Sequence, residues 1–481
     1  MDYGAASELL DAFQRDIEAG TLWAIQNETA HGCRRQDLWA ALEALLVWHR
    51  PRLEAGPGLD FPYKVLRKTA SVLQSQAEKS HDLSSRQAEL YLTLLPFSGQ
   101  WQRLSALEKS GCEEPDVREF FQREKKKITE KIAQKGEKTV RVSHFMQVLK
   151  APREPHEKGV LRIFSLPYLI LDEGVLGDLG RRFVLFVEPP MGVIWRHSWW
   201  RRFCLSKTPC LFGLAGAEDR NFVATQHNAV PIPLAHGDFL EDLAQPPLPN
   251  TRKDFDIVFN ATFDDMPRKR HLLMLDLLLK PELSKKKALF LGRGTPENVE
   301  AFERAVKERG LEPRVTVRPN VRRLDIPELL SRCRLGVHLS LYENASRAVM
   351  EYFRSNIPCV LSSSTAGMNL DMFTDETGAA VPDIQLSQTI ASILENPHRY
   401  RPRSWFLRES GSLVSTRRLN SRLKTFFHER NLPWTQDIVA LTSSGASRYA
   451  SPKDKERFRE EHRWLADRIQ PSLPFGFQIL P

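Results

Sequence analysis

The pattern of apolar positions divides the chain into regions of different character. From Asp2 to about Lys135, apolar residues recur at helical intervals, as in LLDAFQRDIEAGTLWAIQ and DLWAALEALLVWHR, and strand-like runs are scarce. From about Thr139, short β-rich runs alternate with helical stretches; the runs are Val160–Leu171, Arg181–Pro190 and Thr208–Gly216. Continuous apolar runs of this length are typical of strands that are buried on both faces of a parallel sheet. The pattern therefore predicts a helical N-terminal region followed by α/β structure.

A segment rich in proline and polar residues, Gln245–Asp254, separates this α/β region from a second one, and we interpret the segment as an interdomain linker. After Asn396 the pattern returns to helical segments, such as KDKERFREEHRWLADRI. We therefore expect an α/β protein in four parts. They are a helical N-terminal region (1–138), a first α/β domain (139–248), a second α/β domain (249–395) and a helical C-terminal tail (396–481).

Composition is typical of a globular protein. The chain has 481 residues, of which 41% are hydrophobic and 27% are charged. Because no apolar run approaches the ~20 residues of a membrane-spanning helix, and Met1 begins no basic-then-apolar leader, we expect a cytoplasmic protein. The six cysteines are scattered without a C-x-x-C pair, so we expect reduced thiols rather than disulfides or a metal site.

The net charge of +9 and the pI near 9.2 indicate an anionic partner or a basic surface. The sequence has no zinc finger, basic zipper or aromatic-glycine RNA-binding motif, so nucleic acid is not expected as a partner. The densest basic run, Arg123–Lys138, interleaves acids at helical spacing, which favours a solvated helix face. Nucleotide diphosphates and the anionic inner face of a membrane stay open as partners, the latter through peripheral contact.

Two carboxylates stand eight positions apart in the segment E-N-A-S-R-A-V-M-E, from Glu343 to Glu351. An apolar strand-like run precedes the segment, and Asn344 or Ser346 is a suitable cap for the helix that follows. A strand, a turn and a helix N-terminus form an anion site, because backbone N–H groups and the positive end of the helix dipole face the ligand. A carboxylate two turns into the helix is suited to accept hydrogen bonds from sugar hydroxyls, so this spacing fits a nucleotide-sugar.

Four further segments extend this pattern, in a fixed order around the two glutamates. They are Ile257–Leu278, Ala288–Leu311, Arg314–Val321 and Asn356–Asp383. Together with the E-x7-E motif, they resemble the donor-binding half of retaining glycosyltransferases of the two-Rossmann-domain (GT-B) type, in particular family 4. Asn228–Asp242 is similar to the V-P-I-P stretch that ends the acceptor domain in that family. The resemblance implies two Rossmann-like domains facing a cleft, preceded here by the helical region.

The resemblance also implies roles for individual residues. Arg268 and Lys269 would bind the donor diphosphate, Glu351 the ribose, and Glu343 the transferred sugar. The remaining donor-binding candidates are in the loop after the first glutamate and in the loop that cradles the base: Asn344, Ala345, Ser346, Arg347, Asn320 and Val321.

Each of these roles has a structural alternative. Glu343 suits a helix start by the dipole alone, which stabilises by roughly 0.3 to 1 kcal/mol. Glu351 is equally suited to a buried ion pair with Arg347 or Arg354. The basic run from Arg268 to Arg270 also fits a solvated helix start.

The sequence departs from the family pattern at two places. Ala261-Thr262 stands where the family has Gly-Arg, and the basic residues Arg268, Lys269 and Arg270 are candidates to compensate. Asn344 to Ser346 replace a glycine-rich stretch after the first glutamate, which changes how a sugar would be held.

Candidates on the acceptor side are fewer. Glu188, at the end of a predicted strand, occupies the place where the family has a histidine near the reacting sugar, so it is a candidate to orient or deprotonate the acceptor; a structural capping role is the alternative. His197 and the aromatic-basic cluster Trp195, Trp199, Trp200, Arg201 and Arg202 follow it. Core packing is the first interpretation of the cluster, and interfacial or sugar binding the second. His227 and His236 flank the V-P-I-P turn.

These observations lead to the hypothesis of a retaining, metal-independent glycosyltransferase. It would move a hexosyl-type sugar from a nucleotide-sugar to a glycan, lipid-linked glycan or protein acceptor, with no cofactor besides the nucleotide-sugar co-substrate. Asp264-Asp265 superficially resembles a metal-binding pair, but a turn or helix cap is the interpretation we favour. Two alternatives stay open: a non-catalytic scaffold built on a degenerate glycosyltransferase fold, and a nucleotide-sugar epimerase of the same fold.

Overall fold

The computed structural model describes residues 1–55, 63–79, 82–95, 107, 111–119, 122, 139–153, 156–164, 173–189, 209–224, 229–241, 251–443, 449–472 and 478–481. Among the helices in these residues, none combines the length and the apolar character that crossing a membrane requires.

The described part of the N-terminal region includes the helices α1 (Tyr3–Glu18), α2 (Glu28–Ala55), α3 (Tyr63–Lys79) and α4 (Leu83–Leu94). The Asp2 carboxylate starts α1 by accepting a hydrogen bond from the Ala5 N–H at 2.9 Å. Apolar side chains of these helices, among them Leu10 and Tyr91, join the same buried cluster as those of the first sheet. Helix α2 also contacts helices of the second domain. The predicted helical N-terminal region is confirmed, and it packs on the α/β part of the chain.

The first sheet has the order β2-β3-β4-β5-β6, with all pairs parallel except β2–β3. Its strands are β2 (Met146–Lys150), β3 (Gly159–Ile163), β4 (Phe183–Val187), β5 (Cys210–Gly213) and β6 (Ala229–Ile232), and the short strand β1 (Thr139–Arg141) precedes them. Its helices are α5 (Glu173–Arg182) and α6 (Ala217–Ala224). Successive residues of β4 join different clusters on the two faces, which explains the unbroken apolar runs in the sequence. The strand predicted at Val160–Leu171 ends at Ile163, and residues 165–172 lie outside the described residues.

The second sheet is entirely parallel, with the order β12-β11-β10-β7-β8-β9. Its strands are β7 (Phe255–Asn260), β8 (Ala288–Gly292), β9 (Val315–Pro319), β10 (Cys333–His338), β11 (Cys359–Ser362) and β12 (Gly378–Val381). The helices that connect them are α7 (Met266–Lys269), α8 (His271–Leu278), α9 (Pro296–Glu308), α10 (Ile326–Ser331) and α11 (Arg347–Arg354), and α12 (Leu386–Glu395) follows β12. Counted along the chain, this order is the Rossmann order 3-2-1-4-5-6, in which the direction of winding reverses between the first and fourth strands. The predicted α/β class with two Rossmann-like units is therefore confirmed.

The tail returns to the first sheet. Its helices are α13 (Pro402–Glu409), α14 (Ser412–Glu429), α15 (Pro452–Arg457) and α16 (Arg459–Ile469), followed by β13 (Gln478–Leu480). Leu423 of α14 joins the cluster on one face of the sheet, and Leu465 of α16 joins the cluster on the other. Strand β13 pairs in parallel with β1. The resemblance to GT-B glycosyltransferases implies a tail that packs back on the first α/β domain, with Glu460–Ile469 as the crossing helix. This segment lies in α16, which packs on the first sheet. The four domain bounds stay predictions.

Gly336 in β10 allows a close contact that positions α11. A Cβ atom at this position would lie 2.3 Å from the ring of Tyr352, a fully buried residue of α11. The Tyr352 hydroxyl accepts a hydrogen bond from the Asn260 N–H at 2.7 Å, so the ring connects α11 to the end of β7. The absence of a side chain at Gly336 therefore determines how closely this helix approaches the sheet.

We predict that Gly336→Ala destabilises the second domain, because the added methyl must displace the buried Tyr352 ring, an overpacking cost of about 1 to 3 kcal/mol. The midpoint of chemical denaturation, followed by circular dichroism, measures the effect. Gly177→Ala in α5 is the matched control: its Cβ would meet only the Arg181 guanidinium, at 3.7 Å, and alanine favours a helix. Equal midpoints for Gly336→Ala and the unaltered protein would contradict this prediction.

Candidate active site

The candidate site lies at the carboxyl ends of β7 and β10, which are neighbours in the second sheet. The winding of the sheet reverses between these two strands, so the connections after them run to opposite faces and leave a crevice. The connection after β7 leads to Arg268 and Lys269, and the connection after β10 leads to Glu343. The fold therefore brings together three residues that are up to 75 positions apart in sequence.

The basic segment is divided by a change of backbone direction. Arg270 has φ of 60°, a left-handed conformation that ends α7 and begins α8. Lys269 contacts Glu343, whereas the buried Arg270 pairs with Asp383 beyond β12. The Lys269 and Arg270 side chains are 12% and 3% exposed, so they are not a solvated helix start.

Glu343 is the centre of a buried charge cluster. Its Oε1 accepts hydrogen bonds from Lys269 Nζ and, at 3.1 Å, from Arg268 Nη1. Burial by itself would raise the pKa of the Glu343 carboxyl, but Lys269 and Arg268 together hold that pKa well below its usual range. Burial lowers the pKa of the Lys269 amine, and the Glu343 charge offsets part of that effect. Arg268 also pairs with Asp265, so the two cations are balanced by two carboxylates.

His338 is a member of this cluster that the sequence did not indicate. It is the last residue of β10, it is 2% exposed, and its Nε2 lies 3.8 Å from Glu343 Oε1. Burial lowers the pKa of the imidazole to about 3, so the ring is neutral at physiological pH. Within the described part of the chain, Nε2 has no hydrogen-bond partner. Its only sequence signal was its place within the strand-like run that precedes Glu343.

Glu351 is in a separate position, on the side of the site where β7, β8 and β9 end. Its Oε2 accepts a hydrogen bond from Asn260 Nδ2 at 2.9 Å, and its Oε1 lies 3.4 Å from Arg347 Nε. The alternative of an ion pair with Arg347 is thus present in the structure. The Arg347 side chain is 45% exposed but that of Glu351 is only 5% exposed, so only the arginine end of the pair faces the solvent.

Asn320 and Val321 follow β9, as expected for a loop beside the crevice. Asn320 has φ of 54°, and its amide exchanges two hydrogen bonds with the Gly294 backbone, at 2.9 and 3.1 Å. The side chain therefore joins the loops after β8 and β9 rather than projecting freely. Val321 is partly buried against the cluster that contains the buried side of α11.

The loop after Glu343 forms the contact between the two α/β domains. The Asn344 Nδ2 donates to Pro189 O at 2.8 Å and to Gly213 O at 2.9 Å, and its Oδ1 accepts from the Ala215 N–H at 2.8 Å. The residue is 2% exposed. One side chain thus joins the ends of β4 and β5 to the donor-side loop.

The neighbouring loop residues make closer backbone contacts. Ala345 packs against Gly237, where an added Cβ would lie 3.0 Å from the Ala345 carbonyl oxygen. Ser346 is the N-cap residue of α11 but makes no side-chain capping hydrogen bond. Of the two predicted caps, Asn344 and Ser346, Ser346 occupies the N-cap position. Its side chain does not accept the hydrogen bond that a capping serine would accept.

Glu188 follows β4 but its carboxylate is held inside the first domain. Arg162 Nε donates to Glu188 Oε2 at 2.6 Å, and the two side chains are 0% and 1% exposed. Arg162 also donates to Gln147 and lies 3.4 Å from His236 Nδ1. This geometry does not favour Glu188 as a general base, because a protonated Glu188 would no longer balance the buried charge of Arg162, which binds its Oε2. Asn344 directly follows Glu343 and Pro189 directly follows Glu188, so the hydrogen bond from Asn344 to Pro189 nevertheless joins these two parts of the chain.

His197, His227 and the cluster Trp195, Trp199, Trp200, Arg201 and Arg202 lie outside the described residues. Among the residues that the structure does describe, no three histidine, cysteine or acidic side chains come together as metal ligands. Asp264 instead accepts a hydrogen bond from the Thr295 N–H at 2.8 Å, at the start of α9. Metal independence stays a prediction.

Comparison with known proteins agrees with this location. Residues 249–404, about a third of the chain, match the family model described as Glycosyl transferases group 1. This match supports a glycosyltransferase domain around the second sheet and includes both glutamates and the basic segment. Assignment to family 4 goes beyond it. No curated protein sequence matches the chain significantly.

The similar solved structures include three at low sequence identity. The pneumococcal O-GlcNAc transferase GtfA, in complex with UDP and GlcNAc, is 14% identical over 53% of this chain and 54% of its own, with a TM-score of 0.42. Sucrose-phosphate synthase from Thermosynechococcus elongatus is 16% identical over 56% and 73%, with a TM-score of 0.45. Anabaena HepE, in complex with UDP and glucose, is 13% identical over 55% and 78%, with a TM-score of 0.43. The match thus spans about half the length of the pneumococcal enzyme, and the architecture follows from the sheet order independently of these neighbours.

We predict that Asn344→Leu weakens the contact between the α/β domains. A leucine of similar size leaves Ala215 N, Pro189 O and Gly213 O without their partner, and each unsatisfied buried group costs about 1 to 3 kcal/mol. Small-angle X-ray scattering should show a larger radius of gyration, and the thermal midpoint should fall. Asn298→Leu is the control, since among the described residues the hydrogen bond of that amide is to Asp264, within the second domain. Unchanged scattering and stability in Asn344→Leu would contradict the prediction.

Asp238, in the connection after β6, generates a prediction about pH. Burial raises the pKa of its carboxyl to about 6, and the nearby Glu188 charge adds to the effect, although the Ala235 N–H bond opposes it. Because the folded pKa is above the unfolded value of 3.8, this carboxyl contributes stability below pH 4 that is lost as the pH rises through 6. The loss is up to about 3 kcal/mol.

Asp238→Asn keeps an oxygen acceptor for the Ala235 N–H but does not titrate. We therefore expect the free energy of unfolding of the variant to rise relative to the unaltered protein between pH 4 and 6, and to keep a constant difference above that range. Denaturation at a series of pH values measures the difference. Asp375→Asn, at a carboxylate that is 100% exposed, is the control. Parallel pH profiles for Asp238→Asn and the unaltered protein would refute the expectation.

Proposed function

We propose that this chain is a retaining glycosyltransferase that transfers a hexosyl-type sugar from a nucleotide-sugar to a glycan, lipid-linked glycan or protein acceptor. The observation that carries the proposal is the cluster of Arg268, Lys269 and Glu343 at the winding reversal of a Rossmann sheet. The match of residues 249–404 to a glycosyltransferase family model supports the same function. The expected cytoplasmic location and peripheral membrane contact stay predictions.

The charge cluster suggests how a donor would bind. Lys269 and Arg268 both contact the Glu343 carboxylate. A diphosphate offers more negative charge and more acceptor oxygens than one carboxylate, so it can replace Glu343 as the partner of the two cations. Glu343 would then be released to accept a hydrogen bond from a hydroxyl of the transferred sugar. In this proposal the ion pairs keep the cations compensated until the donor arrives.

The position of Glu351 fits the ribose. Its carboxylate lies beside Asn260 at the end of β7, on the side of the crevice where the loop of Asn320 and Val321 begins. Two oxygens of one carboxylate can accept hydrogen bonds from adjacent hydroxyls, as the 2′ and 3′ positions of ribose require. The base would lie toward the loop after β9, and the diphosphate toward Lys269.

Transfer in this site needs no protein nucleophile. The leaving phosphate can take the proton of the acceptor hydroxyl, while Lys269 and Arg268 neutralise the charge that develops on it. The Asn344 contact would hold the acceptor-side loops at a fixed distance from the donor. Glu188 then acts by fixing the end of β4 through Arg162 rather than by taking a proton.

A non-catalytic scaffold is the second candidate. Ala261-Thr262 in place of Gly-Arg removes one donor-binding cation, and the Asn344 side chain is used for contact between domains. Both observations would follow if the protein no longer bound a nucleotide-sugar donor. An epimerase would use the same donor site without an acceptor.

The test is turnover with a panel of nucleotide-sugars, with and without EDTA, starting from UDP-sugars because two structural neighbours are in complex with UDP. We expect one donor to be transferred with retained anomeric configuration in the presence of EDTA. Lys269→Ala should lower kcat/KM by about 100-fold or more, the effect of removing one preorganised charge stabiliser. Glu351→Gln should mainly raise the KM for the donor.

Arg309→Ala is the matched control, because Arg309 pairs with Asp276 away from the crevice and its loss should leave turnover unchanged. Isomerisation of the donor sugar without transfer would favour the epimerase. An absence of both turnover and calorimetric binding for every donor would refute the proposal in favour of the scaffold.

A further inference from the structure

A second candidate binding site is a cavity of about 640 Å³ at the amino ends of strands β3 and β4 in the first sheet. Lys158 and Arg182, which line it, stand immediately before β3 and β4. Trp464 and Arg468 of α16 form another wall. Because a strand rises about 3.3 Å per residue, the five-residue strand β4 separates this cavity from Glu188 by roughly 16 Å. The cavity is therefore distinct from the candidate active site.

Positive charge predominates in the lining. Four cationic side chains, Lys158, Arg181, Arg182 and Arg468, face two carboxylates, Glu157 and Asp178. Both carboxylates are already engaged. Glu157 pairs with the buried Lys150 at 2.6 Å and accepts two hydrogen bonds from Thr435, whereas Asp178 pairs with both Arg181 and Arg468. Both carboxylates in the cavity wall are therefore neutralised by ion pairs, and part of the positive charge has no counter-charge.

Arg182 and Lys158 provide that remaining charge. The Arg182 guanidinium lies over the Trp464 ring, 4.7 Å from its centroid, and its buried Nε has no hydrogen-bond partner within the described residues. Lys158 Nζ donates to the Gly180 carbonyl oxygen, and burial lowers the pKa of its amine. Neither group has a carboxylate partner among the ion pairs of the described residues. Partly buried cations without counter-charge are costly, and a bound anion would remove that cost.

We propose that this cavity binds the phosphate group of a small phosphorylated molecule. Its volume is within the ~300–1,000 Å³ range of small-molecule sites. Guanidinium groups suit phosphate because their planar N–H donors match pairs of phosphate oxygens. Trp464 packs against Phe183, with ring centroids 6.0 Å apart, which gives the cavity a fixed wall. The proposal does not depend on the glycosyltransferase function.

Calorimetry with inorganic pyrophosphate tests the proposal on the full chain. The proposed donor site would also take pyrophosphate, so the measurement uses the Lys269→Gln background, in which that site is weakened. We expect binding of about one pyrophosphate that weakens at higher salt. Adding Arg182→Gln should weaken it at least 10-fold. Arg468→Gln should also weaken it, because the single Asp178 carboxylate is shared by Arg181 and Arg468 and cannot neutralise both; since the Arg468 side chain is 50% exposed, its change should leave the fold intact.

Arg463→Gln is the matched control, since it removes the same charge from the same helix at a side chain that is 54% exposed and pairs with Glu460. It should leave pyrophosphate affinity unchanged. Sedimentation with phosphatidylcholine vesicles that contain phosphatidylglycerol separates the two sources of phosphate: binding that requires Arg182 would assign a lipid headgroup, and soluble binding alone a free metabolite. The proposal would be overturned if neither assay showed binding. It would also be overturned if Arg182→Gln, Arg468→Gln and Arg463→Gln all bound pyrophosphate with equal affinity.

Discussion

The ion pairs of Glu343 hold the candidate site together. Arg268 donates to Glu343 and also to the Tyr342 carbonyl, while its own carbonyl accepts from the Leu341 N–H. These bonds fasten the segment after β7 to the segment after β10. Because Arg268, Lys269 and Glu343 are nearly buried, removing one of these charges would leave the others uncompensated, at a cost larger than that of a surface ion pair. The positions of the two segments therefore depend on the ion pairs, and the ion pairs depend on the positions of the two segments.

The fold was largely predictable because its signal is local. Unbroken apolar runs such as Phe183–Val187 indicate strands buried on both faces, and the apolar intervals of the N-terminal region indicate helices. The E-x7-E spacing and the basic segment predicted the two sides of the crevice. The apolar pattern does not predict the strand order, because the pairing of β7 with β10 joins segments that are far apart in sequence.

The parts of the site that the sequence did not predict depend on distant partners. Asn344 had the appearance of a cap or a sugar contact, yet its partners are 129 to 155 positions away in the other domain. Glu188 had the appearance of a catalytic carboxylate until Arg162, 26 positions earlier, was found beside it. His338 has no motif around it and acquires its environment only by burial. A polar residue's partner is set by tertiary structure, so its type and local spacing leave several roles open.

The parallel pairing of β1 with β13 has a consequence for the order of folding during synthesis. The second sheet is built from one continuous stretch, 255–381, and can form as soon as that stretch has left the ribosome. The first sheet needs α14, α16 and β13, which lie between residues 412 and 480, to cover its faces and pair with β1. The domain that is made first is therefore completed last. Until then its apolar faces need protection, and the N-terminal helices are placed to protect the one face whose cluster they share, whereas the cluster on the other face contains α14 residues such as Leu423.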